Sequence, residues 1–222
     1  MVARFEDRYE AGRRLAAALA HYAGRSNLQV LALPRGGVPV GYELARALHA
    51  PLDVLLVRKL GVPGQEELAM GAIASGGIRV LSDEIVNALG IPERLIATVA
   101  ANEEAELARR ERAYRDDRPL PQIEGKIVTL TDDGLATGSS MRAAAAAVAS
   151  QNPERLIIAV PVAPSEICQS LGQVADEVVC AVAPEPFLAV GSWYRDFSQM
   201  TDEDVRGLLA MAMEALHQAP RR

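Results

Sequence analysis

Aromatic side chains, cysteine and histidine are all scarce in this 222-residue chain. Aromatics make up 4% of it, with one Trp. Two cysteines, Cys168 in a helical pattern and Cys180 ending an apolar strand, exclude a disulfide-rich scaffold and are expected as buried thiols in a reducing compartment. His21, His49 and His217 are scattered and have no cysteine at ligand spacing, which argues against a zinc site. No apolar run approaches the roughly 20 residues that cross a bilayer. The segment Met1 to Asp7 is too polar for a secretory signal, and the expected location is the cytoplasm. Excess positive charge is lacking too: the net charge is −6, which disfavours a broad nucleic-acid face while leaving room for one local basic pocket.

What the chain has is an alternation of strand and helix patterns. Leu28 to Leu33 is an apolar strand followed by a helix through Val40, Leu44, Ala47 and Leu48. Asp53 to Val57 is the next strand. Leu60 to Leu68, with Gly61, Pro63, Gly64, Glu66 and Glu67 and no apolar period, is expected as a mobile loop. Ala69 to Ala74 and Ile78 to Leu81 read as a hairpin turned by Ser75-Gly76-Gly77. A long helix follows Pro92, and its Glu106/Arg110 and Glu111/Arg115 pairs are expected on a solvated face. Lys126 to Thr131, Arg155 to Val160 and Glu177 to Ala181 are further strands, separated by the alanine-rich helix Ser140 to Ser150 and a short helix Ser165 to Leu171. The last helix starts at Thr201, with Asp204 closing a capping box. Its apolar face runs through Val205, Leu208, Leu209, Ala212 and Leu216, and Met200, Met211 and Met213 read as core filler or a subunit contact of a homo-oligomer. The predicted class is α/β, a mostly parallel sheet flanked by helices, with ligands bound beyond the carboxyl ends of its strands.

One stretch carries the chemistry. From Val128 to Ser140 the chain passes from a buried strand through Asp132 and Asp133 into the small residues Gly134, Ala136, Thr137, Gly138, Ser139 and Ser140, which open a helix. Small residues leave backbone N–H groups uncovered, and at a helix N-terminus those donors and the dipole favour a phosphate. Two adjacent acids would repel that phosphate, so they are expected to accept hydrogen bonds from sugar hydroxyls or to hold a cation beside it. A second loop, Pro34-Arg35-Gly36-Gly37, puts an arginine fork beside two glycines that permit close backbone approach to a ligand. Arg58 and Lys59 close what reads as the second strand and supply two more cations.

The acid-pair stretch resembles the phosphoribosyl-diphosphate (PRPP) loop of the type I phosphoribosyltransferases, and the resemblance covers roughly residues 28 to 160. It implies that Asp132 and Asp133 take the ribose 2′ and 3′ hydroxyls, that Ala136 to Ser140 wrap the 5′-phosphate, and that Arg35, Gly36, Gly37, Arg58 and Lys59 bind diphosphate. Asp132, Asp133, Arg35 and Lys59 are then the catalytic candidates. It implies Mg2+ carried largely by PRPP, with Asp132 as the candidate protein contact, and a cis Arg35–Gly36 peptide. One domain is expected over residues 1 to 222: a core over 28–181, the family's flexible loop at 60–68, and a hood over 182–200 with the helix 201–217. The hood holds Phe187, Trp193, Tyr194 and Phe197, and Trp193 and Tyr194 are the acceptor candidates.

Two departures bear on substrate. Relatives acting on 6-oxopurines usually carry an acid where this chain has Ala136, and the Pro-Arg-Gly-Gly turn is unlike the adenine type. The implied function is transfer of a 5-phosphoribosyl group from PRPP to a nitrogenous acceptor with release of diphosphate. Its partners are PRPP and a small-molecule acceptor, with no nucleic acid and no membrane; the alternative is a PRPP-binding regulator without efficient transfer. A dinucleotide-binding domain is a weak third reading, because neither glycine turn has Gly-x-Gly-x-x-Gly spacing and no P-loop Gly-Lys-Ser/Thr is present.

Overall fold

The apolar runs become strands of two sheets in the computed structural model, which describes residues 4–115 and 119–218. In chain order the elements are α1 (Arg8–Ala18), β1 (Leu28–Ala32), α2 (Gly37–Leu48), β2 (Leu52–Val54), β3 (Val57–Val62), β4 (Gln65–Ala74), β5 (Ile78–Leu81), α3 (Asp83–Ala88) and α4 (Glu93–Arg115). They continue with β6 (Ile127–Thr131), α5 (Ser139–Ala149), β7 (Arg155–Val162), α6 (Ser165–Leu171), β8 (Glu177–Val182) and α7 (Asp202–Gln218). The main sheet has the order β2-β1-β6-β7-β8, all neighbours parallel, and β3-β4-β5 form a separate antiparallel sheet. The fold is thus α/β, with a mostly parallel central sheet flanked by helices.

Strand alternation sorts the core. Leu31, Val128, Leu130, Leu156, Ile158 and Val160 face α5, whose Ala144, Ala145 and Ala147 allow close approach, while Leu28, Val30, Ile127, Ile157 and Ala159 face α1 and α2. Both faces of β1 and β6 are buried, which is why these strands read as continuous apolar runs.

The region between β2 and α3 departs from the sequence reading. Residues 60–68, expected as a mobile loop, are two strand ends joined at Pro63-Gly64, with Gly64 at φ 82°. The β3–β4 register shifts at Leu60/Gly61 and again at Gly61/Val62, and a bulge of this kind breaks the two-residue alternation that marks a strand. The side chains of Glu66 and Glu67 lie outside the described residues. The second strand ends at Val54, so Val57, Arg58 and Lys59 belong to the antiparallel sheet instead. The Ser75-Gly76-Gly77 turn does join β4 to β5, with Gly76 and Gly77 at φ 82° and 72°.

Three further corrections concern single residues. The cis peptide is Pro34–Arg35, one bond earlier than expected; the chain then enters α2 with Gly36 already helical at φ −62°, ψ −33°. Cys168 on α6 and Cys180 on β8 form a disulfide rather than two thiols, because the helix packs across the strand with the two Cα atoms 6.4 Å apart. Arg115 keeps its expected pair with Glu111 at 3.8 Å but is 3% exposed rather than solvated, turned inward to Asp53 at 2.9 Å, whereas Glu106 and Arg110 pair at 2.7 Å on the outer face. The α7 capping box forms: Thr201 N–H donates to Asp204 at 2.8 Å, and Asp204 N–H to the Thr201 hydroxyl at 3.1 Å. Val205, Leu208 and Leu209 are buried below it; Met200 packs into the same cluster, whereas Met211 and Met213 are exposed. No helix among the described residues is long and apolar enough to cross a membrane.

Candidate active site

β1 and β6 lie side by side, but the chain leaves β1 toward β2 and leaves β6 toward β7. Their helices, α2 and α5, therefore cover opposite faces of the sheet and leave a crevice at the carboxyl ends of the two strands. The two loops picked out from sequence, residues 34–37 and 132–140, are the loops that flank it. They touch. A Cβ on Gly36 would stand 2.0 Å from Asp133 Oδ2, and one on Gly37 would stand 2.8 Å from the Cα of Asp132. Gly36 is needed for space, since its backbone is ordinary helix; the glycines admit the neighbouring carboxylates, a role that sequence reasoning had given to the ligand.

The acid pair is held tightly on one side and open on the other. Asp132 Oδ1 accepts the Asp133 N–H at 2.8 Å, and Asp133 Oδ2 accepts Arg8 Nε at 2.8 Å. The Tyr194 hydroxyl donates to the Asp133 carbonyl oxygen. Burial, and then the charge of Asp133, push the Asp132 carboxyl well above the usual carboxylate range. Burial also raises Asp133, while the Arg8 guanidinium pulls it back down. Burial and the neighbouring carboxylates drive the Tyr194 phenol far up, so it stays a donor.

Beyond the acids the loop changes character. Gly134 has φ 156°, and a Cβ there would meet Val190 and Val162 at 2.6 and 2.9 Å. Leu135 is buried and its N–H is tied to the Val162 carbonyl at 2.9 Å, which leaves Ala136 and Thr137 at the exposed tip. Gly138, left-handed at φ 72°, caps α5, and the Thr137 and Ser139 hydroxyls stand 3.0 Å apart. Ser140 is exposed on the first turn. The result is a turn of small side chains and hydroxyls at a helix N-terminus, suited to an anion of phosphate size.

The basic candidates separate. The half-exposed side chain of Arg35 leans toward α7, 3.7 Å from Asp202. Asp202 also accepts the Tyr114 hydroxyl at 2.8 Å, and burial with that bond raises the phenol to about 12. Arg58 pairs with Glu103 of α4 at 2.5 Å and is drawn away from the crevice. Lys59, on the other face of β3, lines a cavity of about 410 Å³ together with Ser139 and Arg142 of α5. In the hood, Tyr194 is buried at 4% exposure between the rings of Phe5 and Phe197, so it presents no open face to a planar ligand. Trp193 is partly exposed, packed on the same cluster.

Arg8 escaped the sequence reading. It occupies the first turn of α1 and is 8% exposed, its Nη1 donating to the Ser198 carbonyl at 2.8 Å and its guanidinium lying 3.9 Å from the centre of the Phe197 ring. A local signal existed: a cation at a helix N-terminus opposes the helix dipole.

The profile of the phosphoribosyl transferase domain matches residues 1–170. Proteins of two Mycobacterium tuberculosis strains, each named "Putative phosphoribosyl transferase", are 44% identical over 208 residues, covering 94% of this chain and 47% of their own length. The chain thus spans about half the length of the curated relatives it matches. The crystal structure of TT1426 from Thermus thermophilus is 44% identical with a TM-score of 0.86, covering 94% of this chain and 98% of that one. With the matched profile spanning both crevice loops, the chain belongs to the phosphoribosyl transferase domain family.

Proposed function

We propose that the chain transfers the 5-phosphoribosyl group of PRPP to a nitrogenous, nucleobase-like acceptor and releases diphosphate. The observation that carries this reading is the contact of the two crevice loops, which sets two carboxylates beside a turn of exposed hydroxyls and N–H groups. Asp132 and Asp133 accept the ribose 2′ and 3′ hydroxyls. Ala136, Thr137, Gly138, Ser139 and Ser140 hold the 5′-phosphate through N–H groups and hydroxyls. Arg35, the Gly36-Gly37 turn and Lys59 receive the diphosphate; Arg58, committed to Glu103, is left out of that set. Trp193 remains the acceptor-side candidate.

Bond cleavage at the anomeric carbon builds positive charge on the ribose and negative charge on the diphosphate. The protein's part is to orient both ends, neutralise the leaving group through Arg35 and Lys59, and exclude water. Mg2+ fits as a substrate-borne ion. Such a small cation binds chiefly through phosphate oxygens, with Asp132 as the candidate carboxylate contact. When bound, the ion would neutralise diphosphate charge.

A second reading, a PRPP-binding regulator, draws on Ala136, which stands at the exposed loop tip where an acid would serve an acceptor base. A panel of nucleobases incubated with PRPP and magnesium, with diphosphate release followed, separates the two. Release with one base supports transfer; PRPP binding without release supports the regulator, and no binding removes both.

A further inference from the structure

Each carboxylate of the acid pair has one oxygen committed within the protein: Asp132 Oδ1 to the Asp133 N–H, and Asp133 Oδ2 to Arg8. Among the described residues nothing bonds to Asp132 Oδ2 or Asp133 Oδ1. Two neighbouring open acceptors suit two vicinal hydroxyls, provided that neither carboxylate rotates. Asp132 is restrained by the next peptide in its own loop. Asp133, against which Gly36 packs closely, has Arg8 as its side-chain hydrogen-bond donor among the described residues.

Arg8 is itself fixed by groups that come from elsewhere. Its Nη1 is bonded to the Ser198 carbonyl, its guanidinium carbon lies 3.9 Å from the Phe197 ring centre, and Tyr194, its ring centre 6.0 Å from that carbon, donates to the Asp133 carbonyl. All three partners sit in the hood, and the hood is stitched to the segment before α1: Phe5 N–H donates to Trp193, while the Arg195 and Asp196 N–H groups donate to Phe5 and Glu6, each at 2.9 Å. A guanidinium can bridge two acceptors at once and stack on a ring, which an ammonium cannot do. A charge this deeply buried is retained at a desolvation cost, in a place where a salt bridge is weak evidence for stability alone.

We propose that Arg8 is a positioning residue for the ribosyl donor, clamping Asp133 so that the open carboxylate oxygens are presented as a pair, and linking that presentation to the hood. This rests on the donor reading given under the proposed function. It assigns the hood a second task, since any movement of residues 194–198 on acceptor binding is transmitted through Arg8 to the ribose.

The test compares ligands that do and do not carry the hydroxyls. PRPP, ribose 5-phosphate and inorganic phosphate are titrated with magnesium into the wild-type chain and into Arg8→Gln, Arg8→Lys and Phe197→Leu. Arg8→Gln should weaken PRPP and ribose 5-phosphate about tenfold and phosphate less than twofold, since phosphate uses the Thr137 to Ser140 turn. Arg8→Lys should fall between, and Phe197→Leu, at a partly exposed ring, should weaken the ribosyl ligands without adding to the loss in Arg8→Gln. In turnover, KM for PRPP should rise more than kcat falls. Equal losses for all three ligands would reduce Arg8 to a structural residue and overturn the proposal, as would unchanged PRPP affinity in both Arg8→Gln and Phe197→Leu. A wild-type chain that does not bind PRPP overturns the donor reading itself, an outcome distinguishable from the other two.

Discussion

Asp132-Asp133 and Arg58-Lys59 are both adjacent like charges next to apolar runs, and the fold treats them in opposite ways. The acids lie just beyond the end of β6, where the chain has left the sheet, and both serve one crevice. The cations lie inside β3, where successive side chains point to opposite faces, so Arg58 meets Glu103 of α4 and Lys59 meets α5. Past the strand end, adjacent charges can share one crevice. Within a strand, geometry separates them.

Neutralising the acids should break the comparison most severely. Asp132→Asn is expected to lower PRPP affinity by roughly 10- to 100-fold, the worth of a charged hydrogen bond, in calorimetry with magnesium. It should at the same time raise the melting temperature at neutral pH. The sign follows from burial: the folded-state pKa of Asp132 is raised above its ordinary 3.8, so the folded chain holds the proton longer than the unfolded one. Stability from this group is present at acid pH, declines as pH climbs from about 3.8 through the raised folded value, and levels off above it. Melts of the wild type and Asp132→Asn should converge toward acid pH; curves that stay parallel from neutral to acid pH would refute the assignment.

Gly36→Ala comes next. Its methyl would press on the Asp133 carboxylate, and an expected stability loss of roughly 1 to 3 kcal/mol should come with weaker PRPP binding. Native-like affinity would show that the two loops are free to separate. Lys59→Ala should raise KM for PRPP several-fold, whereas Arg58→Ala should leave it within about twofold; the ion pair it breaks is worth roughly 0.2 to 1 kcal/mol. If Arg58→Ala proves the more damaging in a steady-state assay, the assignment of faces is reversed. Trp193→Leu should have the smallest effect on PRPP and act chiefly on KM for the acceptor.

Much of the crevice was legible because it is local. Strand, acids, small-residue turn and helix occur consecutively from Val128 to Ser140, and each reports its own backbone preference. The parallel class followed equally from the apolar runs at β1, β6 and β7, buried on both faces. The bulged β3 was not legible, because a shift in register erases alternation. Nor was the Cys168–Cys180 bond, which depends on α6 lying across β8. Tyr194 read as a stacking platform for want of knowledge that Phe5 and Phe197 cover it.

By itself the sequence determined the segments whose physics is carried by near neighbours: a small-residue turn opening a helix, a capped C-terminal helix, and a sheet with helices on both faces. Only the tertiary structure decided what depends on distant residues meeting. It brought Gly36 under Asp133, and it set Arg8, 125 positions away in the chain, against the same carboxylate. Burial of that carboxylate and pairing with a guanidinium are properties of an assembled neighbourhood, and no single stretch of chain encodes them.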